Sequence, residues 1–210
     1  MIGIYGGTFD PVHFGHLRPA LDVYSELGLS EVRFIPAGVP VHRDLPVASS
    51  EQRYQMLLLA AENVTAIRVD DREITCNEPS YMVDTIRSLQ ADFSNEKFCL
   101  IIGMDAFIGF DGWREWRTIL DLVNIVVTCR PRFDLASIAD SELKDYILGA
   151  ETKDKAEFLA DPSGHCYFCP VTQLDISATD IRKRVKRGSE LNYLLPDAVI
   201  NYLLQKQLYQ

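Results

Sequence analysis

The chain has 210 residues and a formal net charge of −9, from 21 Lys and Arg against 30 Asp and Glu. That balance argues against broad nucleic-acid binding, which needs a basic face, but leaves small anionic ligands open, because a few local cations outweigh a distant acidic surface. Hydrophobic residues at 47% can fill a core; no apolar run reaches the ~20 residues of a membrane helix, no basic leader precedes the first apolar run, and five cysteines, an odd number, suit reduced thiols in the cytoplasm.

In chain order, the patterning predicts a strand at Met1–Tyr5, a helix at Gly15–Leu27, a strand at Val32–Pro36 and a helix at Ser50–Ala61. Ser49 and Gln52 have capping-box spacing at the start of that second helix. A strand follows at Ala66–Val69, a helix at Tyr81–Leu89, a strand at Phe98–Ile102, a helix at Trp113–Leu122 and a strand at Ile125–Thr128. The region from Pro131 to Gly164 is charged and weakly patterned, with a helix near Ile138–Leu148. A last strand near Cys166–Leu174 leads into helices at Ser177–Lys186 and Ala198–Gln205. The strands are short, continuously apolar and rich in Ile and Val, as in sheets buried on both faces. Alternation with helices predicts an α/β fold, a doubly wound parallel sheet with right-handed crossovers and ligands beyond the carboxyl ends of its strands. No repeat or linker divides the chain, so a single domain is expected over 1–210, with a helical C-terminal part from about residue 175.

The first strand-to-helix turn reads GGTFDPVHFGH, residues 6–16. Gly6 and Gly7 let the backbone turn tightly and approach a ligand. The helix that follows presents unpaired N–H groups suited to an anion. His13 and His16 stand at that opening; a neutral imidazole donates one hydrogen bond, an imidazolium two, and both suit phosphate oxygens. The glycine order differs from the dinucleotide fingerprint, and no Gly-Lys-Ser/Thr marks a P-loop.

Near the other end the chain reads ISATDIRKR, residues 176–184. Ser177 is a helix N-cap, with Asp180 at the capping-box position. Thr179 and Arg182, three apart, share the face of the first turn. A helix start, a hydroxyl and a planar guanidinium suit phosphate oxygens.

Together these two stretches resemble the nucleotidyltransferase superfamily with His-x-Gly-His and Ile-Ser-x-Thr-x-Ile-Arg signatures. With IPAGVPVHR at 35–43, EPSYMVDTI at 78–86, IIGMD at 101–105 and Trp113–Trp116, the chain resembles the nicotinate mononucleotide adenylyltransferase family over nearly its full length. The resemblance implies a Rossmann-like sheet and transfer of the adenylyl group of ATP to nicotinate mononucleotide, with Mg²⁺ carried in on ATP and no protein metal ligand. It implies catalytic roles for His13, His16 and Arg182, and an ATP site built from Gly6, Gly7, Thr8, Phe9, Gly103, Asp105, Ser177 and Thr179. His42, Arg43, Thr85, Trp113 and Arg114 would hold the mononucleotide. Its partners would be those two small molecules, with no nucleic acid and no membrane. Val41 stands where the family often has a second proline, which leaves that loop less stiff. Asp111 and Glu115, near the acceptor loop, leave the preference for acid over amide open. Nicotinamide mononucleotide or phosphopantetheine as acceptor, or a non-catalytic nucleotide-binding module, are the competing readings.

Cys166-x-x-Cys169 beside His165 lacks the second ligand pair of a structural zinc site. Trp116 is expected in the core, and Trp113 either packs or stacks on a ligand ring.

Overall fold

The structure, a computed structural model, describes residues 1–40, 45–76, 78–129 and 141–210. Its first half runs β1 (Ile2–Gly7), α1 (Phe14–Leu27), β2 (Glu31–Pro36), β3 (Val39–Pro40), α2 (Ser50–Ala61), β4 (Ile67–Val69), β5 (Pro79–Ser80) and α3 (Met82–Asp92). The second runs β6 (Phe98–Gly103), α4 (Met104–Ile108), α5 (Trp116–Leu122), β7 (Asn124–Cys129), α6 (Glu142–Ala150), α7 (Lys155–Ala160), β8 (Cys166–Pro170), α8 (Ala178–Lys186) and α9 (Asp197–Gln205). Six strands form one sheet in the order β4-β2-β1-β6-β7-β8, and β3 pairs separately with β5. Every pairing among the described strands is parallel.

The chain builds outward from β1 through β2 to β4, then returns to the other side of β1 with β6 and continues to β8. The strand order therefore reverses between β1 and β6, the position where doubly wound sheets open a crevice for ligands. The carboxyl ends of these strands, at Gly7 and Gly103, set the location of the cleft.

Residues alternate across the sheet, and both sets are apolar. Val32, Phe34, Cys99, Ile101 and Val126 pack in one layer, with residues of α1, α2, α8 and α9. Ile2, Ile4, Phe98, Leu100, Ile102, Ile125 and Val127 pack in the other, with residues of α3, α4, α5 and α6. Each fully buried side chain of this kind contributes roughly 1.5–3 kcal/mol over its exposed state, so neither face can be left to water. That is why the strands need helices on both sides.

The boundaries differ from the expected ones where local chemistry intervenes. The α2 capping box forms as predicted, with Ser49 and Gln52 bonding each other's main-chain N–H. The last strand stops at Pro170 rather than Leu174 because the chain turns out of the sheet, and the Asp22 carboxylate takes the Thr172 N–H at 2.7 Å. The helix expected from Trp113 begins at Trp116, after a 3-10 turn at Phe110–Gly112 and a left-handed Glu115 (φ 52°). The helix near 138–148 is found at Glu142–Ala150, started by Ser141 accepting from the Lys144 N–H; residues 130–140 lie outside the described part. Two short helices were not expected: α4, and α7, which Asp154 caps by accepting from the N–H of Ala156 and Glu157.

Asn124 joins β7 to α7 and the segment leading into β8. Its Nδ2 donates to the carbonyls of Phe158 (2.7 Å) and Asp161 (2.8 Å), and its Oδ1 accepts from the His165 N–H at 2.9 Å. Asn124→Ala should therefore lower stability by about 2–4 kcal/mol, since it strands three main-chain groups. Urea unfolding checks this, and a loss below about 1 kcal/mol would mean that water replaces the amide.

Candidate active site

The β1–α1 turn is built around the carboxylate of Asp10, which is buried. Its Oδ2 accepts from the Val47 N–H at 2.9 Å, and its Oδ1 from the Ala48 N–H at 3.1 Å. The Tyr209 hydroxyl, from the far end of the chain, donates to the same Oδ1 at 2.6 Å. Arg182 Nη1 donates to the Asp10 main-chain carbonyl at 2.6 Å and stands 3.8 Å from Oδ2. Both ends of the chain thus meet at one residue of the turn.

His13 is the N-cap of α1 by position but makes no side-chain cap bond. Its ring packs against that of His16, centroids 3.8 Å apart. Gly15 lies beneath this pair: a Cβ there would come within 2.9 Å of the His13 ring and 3.0 Å of the Ile176 carbonyl. The glycine between the histidines is what lets ISATDIR approach the opening of α1. Burial lowers the His13 pKa from 6.5 to about 4. Of the two protonation states the sequence left open, His13 is therefore neutral near neutral pH and donates a single hydrogen bond.

Ser177 caps α8 by accepting from the Asp180 N–H at 3.1 Å, while the Asp180 carboxylate bonds Arg184 (2.6 Å) instead of closing the box. Arg182 Nη2 donates to Thr179 Oγ1 at 3.2 Å. The face expected to hold Thr179 and Arg182 does so, and it opens beside Asp10.

Arg53 also holds this turn, and the motifs did not disclose it. It is 1% exposed, and its guanidinium donates to the carbonyls of Thr8 (2.9 Å), Ala37 (2.6 Å) and Gly38 (3.2 Å). Burial lowers its pKa, opposed by Asp10, Tyr209, Glu51 and Glu73. A cation thus lies beneath the turn and fastens it to the end of β2. The sequence held one sign of it: Arg53 occupies the stripe of buried Met56, Leu57 and Ala60 on α2. A charge on such a stripe must find buried partners.

Beside α3, Glu73 is buried and accepts from the Thr85 hydroxyl at 2.5 Å. Burial raises its pKa, opposed by bonds from Thr85 and Ser80. Its main chain crowds Gly38, where an added Cβ would lie 2.0 Å from the Glu73 carbonyl oxygen. Thr85 also donates its N–H to Tyr81, so this residue is committed within α3. Met82, opening α3, stands against Gly6. Trp113 is half-buried on Phe110, centroids 5.2 Å apart, and Trp116 is in the core. Arg114 is exposed, lies over the Tyr81 ring at 4.5 Å and pairs with Asp84 at 3.6 Å. Gly103 ends β6, and Asp105 is exposed one residue into α4. His42 and Arg43 lie outside the described residues. Cys166 and Cys169 face opposite layers of the sheet, so the pair cannot grip one metal ion.

A doubly wound parallel sheet with this turn at its reversal is the fold of a nucleotidyltransferase, and residues 4–184 match the cytidylyltransferase-like family. Over 210 residues the chain is 44% identical to a nicotinate-nucleotide adenylyltransferase of Methylococcus capsulatus, covering 100% of this chain and 99% of that one. It is 43% identical to a nicotinate-nucleotide adenylyltransferase of Hydrogenovibrio crunogenus, with 100% and 98% coverage. The chain belongs to the nicotinate-nucleotide adenylyltransferase family. The fold is also that of the Plasmodium falciparum nicotinic acid mononucleotide adenylyltransferase complexed with NaAD, with a TM-score of 0.71 at 19% identity, covering 99% of this chain and 96% of that one.

The depressed His13 pKa has a consequence for stability. An unfolded histidine titrates near 6.5 and the folded one at about 4, so between these values the unfolded chain holds the extra proton. Stability then falls as pH drops through that window. In His13→Gln, the loss of unfolding free energy between about pH 7 and about pH 4.5 should be smaller by about 2–3 kcal/mol. Equal acid sensitivity in parent and variant would show that His13 takes up its proton without cost.

Proposed function

We infer that this chain transfers the adenylyl group of ATP to nicotinate mononucleotide, releasing pyrophosphate and forming nicotinate adenine dinucleotide, a step of NAD biosynthesis carried out in the cytoplasm. The observation that carries this reading is the junction at Asp10 and Gly15, where the HFGH turn and the ISATDIR segment meet after β1.

The attacking group is a phosphate oxygen, already anionic, and needs no general base. What opposes reaction is the repulsion of two polyanions. Catalysis is then positioning and electrostatic stabilisation of an in-line displacement at the α-phosphorus. Mg²⁺ enters as part of the ATP substrate, held mainly by phosphate oxygens and water. Ser177, Thr179 and Arg182 hold the β- and γ-phosphates. Gly6, Gly7, Thr8 and Phe9 line the groove between the substrates, with Arg53 supplying positive charge behind them. Gly103 and Asp105 line the nucleotide side. A neutral His13 cannot deliver a proton at ordinary pH, so it serves with His16 as a donor to phosphate oxygens.

His42, Arg43, Trp113 and Arg114 bind the mononucleotide, with Trp113 offering its open face to the pyridine ring. Thr85 faces the mononucleotide ring, with its hydroxyl held by Glu73. The start of α3 has no side-chain cap and abuts Gly6. Its N–H groups therefore suit the ring carboxylate.

The test is an assay of purified protein with Mg²⁺-ATP and, in turn, nicotinate mononucleotide, nicotinamide mononucleotide and phosphopantetheine, following pyrophosphate. Release should be fastest with the first, and silence with all three would end the reading. His16→Ala should reduce turnover by about 10²–10³ with the fold retained; a near-parental rate would remove His16 from the site. Arg182→Ala should raise KM for ATP far more than KM for the acceptor, and equal changes would place Arg182 elsewhere.

A further inference from the structure

Tyr209 lies 199 residues from Asp10 in sequence, yet its phenol is buried and donates to the Asp10 carboxylate at 2.6 Å. The carboxylate has four neighbours that offset its charge: the N–H groups of Val47 and Ala48, the Tyr209 hydroxyl, and the Arg182 guanidinium at 3.8 Å. Arg53 adds positive charge from beneath the turn. The first three have no other task in the site. Arg182 has one, since its guanidinium also reaches Thr179 Oγ1 on the open face of α8.

These neighbours compete for one charge. A buried carboxylate that loses a donor draws more strongly on the donors that remain. Among them, Arg182 is the group that a phosphate must also recruit. We propose that Tyr209 is a positioning residue for ATP: by satisfying Asp10 Oδ1, its hydroxyl keeps the carboxylate from monopolising Arg182 and leaves the guanidinium available to the triphosphate. Tyr209 touches no substrate and acts through Asp10 and Arg182. The inference rests on the adenylyltransferase reading for the identity of the anion, but its geometry stands on the hydrogen bonds alone.

Tyr209→Phe removes the hydroxyl and keeps the ring. ATP binding to parent and variant is measured by calorimetry in Mg²⁺, and KM for each substrate and kcat by pyrophosphate release. The dissociation constant and KM for ATP should rise about 5–30-fold, the factor that a small loss of binding free energy produces. KM for the acceptor and kcat should stay close to parental, the signature of lost ground-state binding. Tyr167→Phe is the control. It also deletes a phenol–carboxylate bond, to Glu26 Oε1 at 3.2 Å, and should leave ATP affinity unchanged. Unaltered ATP affinity in Tyr209→Phe would overturn the proposal, as would equal weakening for both substrates, an equal effect in Tyr167→Phe, or a variant that fails to fold. A parent that binds ATP but releases no pyrophosphate would end the adenylyltransferase reading, while the calorimetric comparison still decides the role of Tyr209.

Discussion

A carboxylate withdrawn from water is tolerated only when its oxygens are filled by donors or cations. Asp10 meets that condition with partners from three separate stretches: Val47 and Ala48 before α2, Arg182 on α8, and Tyr209 beyond α9. No local segment could supply them, so the turn takes its shape only when the sheet and the C-terminal helices are in place. The same contacts bring Arg182 to the β1 crevice. Folding the chain and joining α8 to the β1–α1 turn are one event at this residue.

The electrostatics of the cleft run against those of the whole. A net charge of −9 would repel a triphosphate at long range, but salt screens exposed charges within about 8–10 Å. What the ligand meets at contact is local. Arg53 is buried below the turn and, among the described residues, hydrogen-bonds to carbonyl oxygens, so no carboxylate there grips it and cancels its charge outright. Arg182 reaches the same turn from α8. The imidazole of His13, at the opening of α1, is neutral near neutral pH.

Much of this was legible in the sequence. The continuous apolar runs at Phe98–Ile102 and Ile125–Thr128 pointed to a parallel sheet buried on both faces, because period-2 alternation disappears when neither face meets water. The two helix starts were also marked, by Ser177, which caps α8, and by the His-Phe-Gly-His run that opens α1. The rest depends on tertiary contacts without a local pattern. The bend at Thr172 is set by Asp22, 150 residues away. The helices α4 and α7 are one to two turns long, too short for a periodicity to declare itself. Asp10 lay inside the motif, yet its burial could not be read without Tyr209 at the other end.

The chemistry explains why the residues missed by motif reading are those that grip main chain. A reaction with a ready nucleophile asks little of acids and bases and much of geometry, and a misplacement of about 1 Å can cost about 10²-fold. Side chains that touch phosphate can be guessed from their type. Arg53, which holds the carbonyls of Thr8, Ala37 and Gly38, is ordinary in type and unusual only in burial. Arg182, which the ISATDIR motif did disclose, is only partly buried and holds the Asp10 carbonyl, while its second nitrogen stays on the Thr179 hydroxyl in the first turn of α8. Arg53 and Arg182 thus form a cationic clamp on backbone oxygens, and it ties the β1–α1 turn to the end of β2 and to α8.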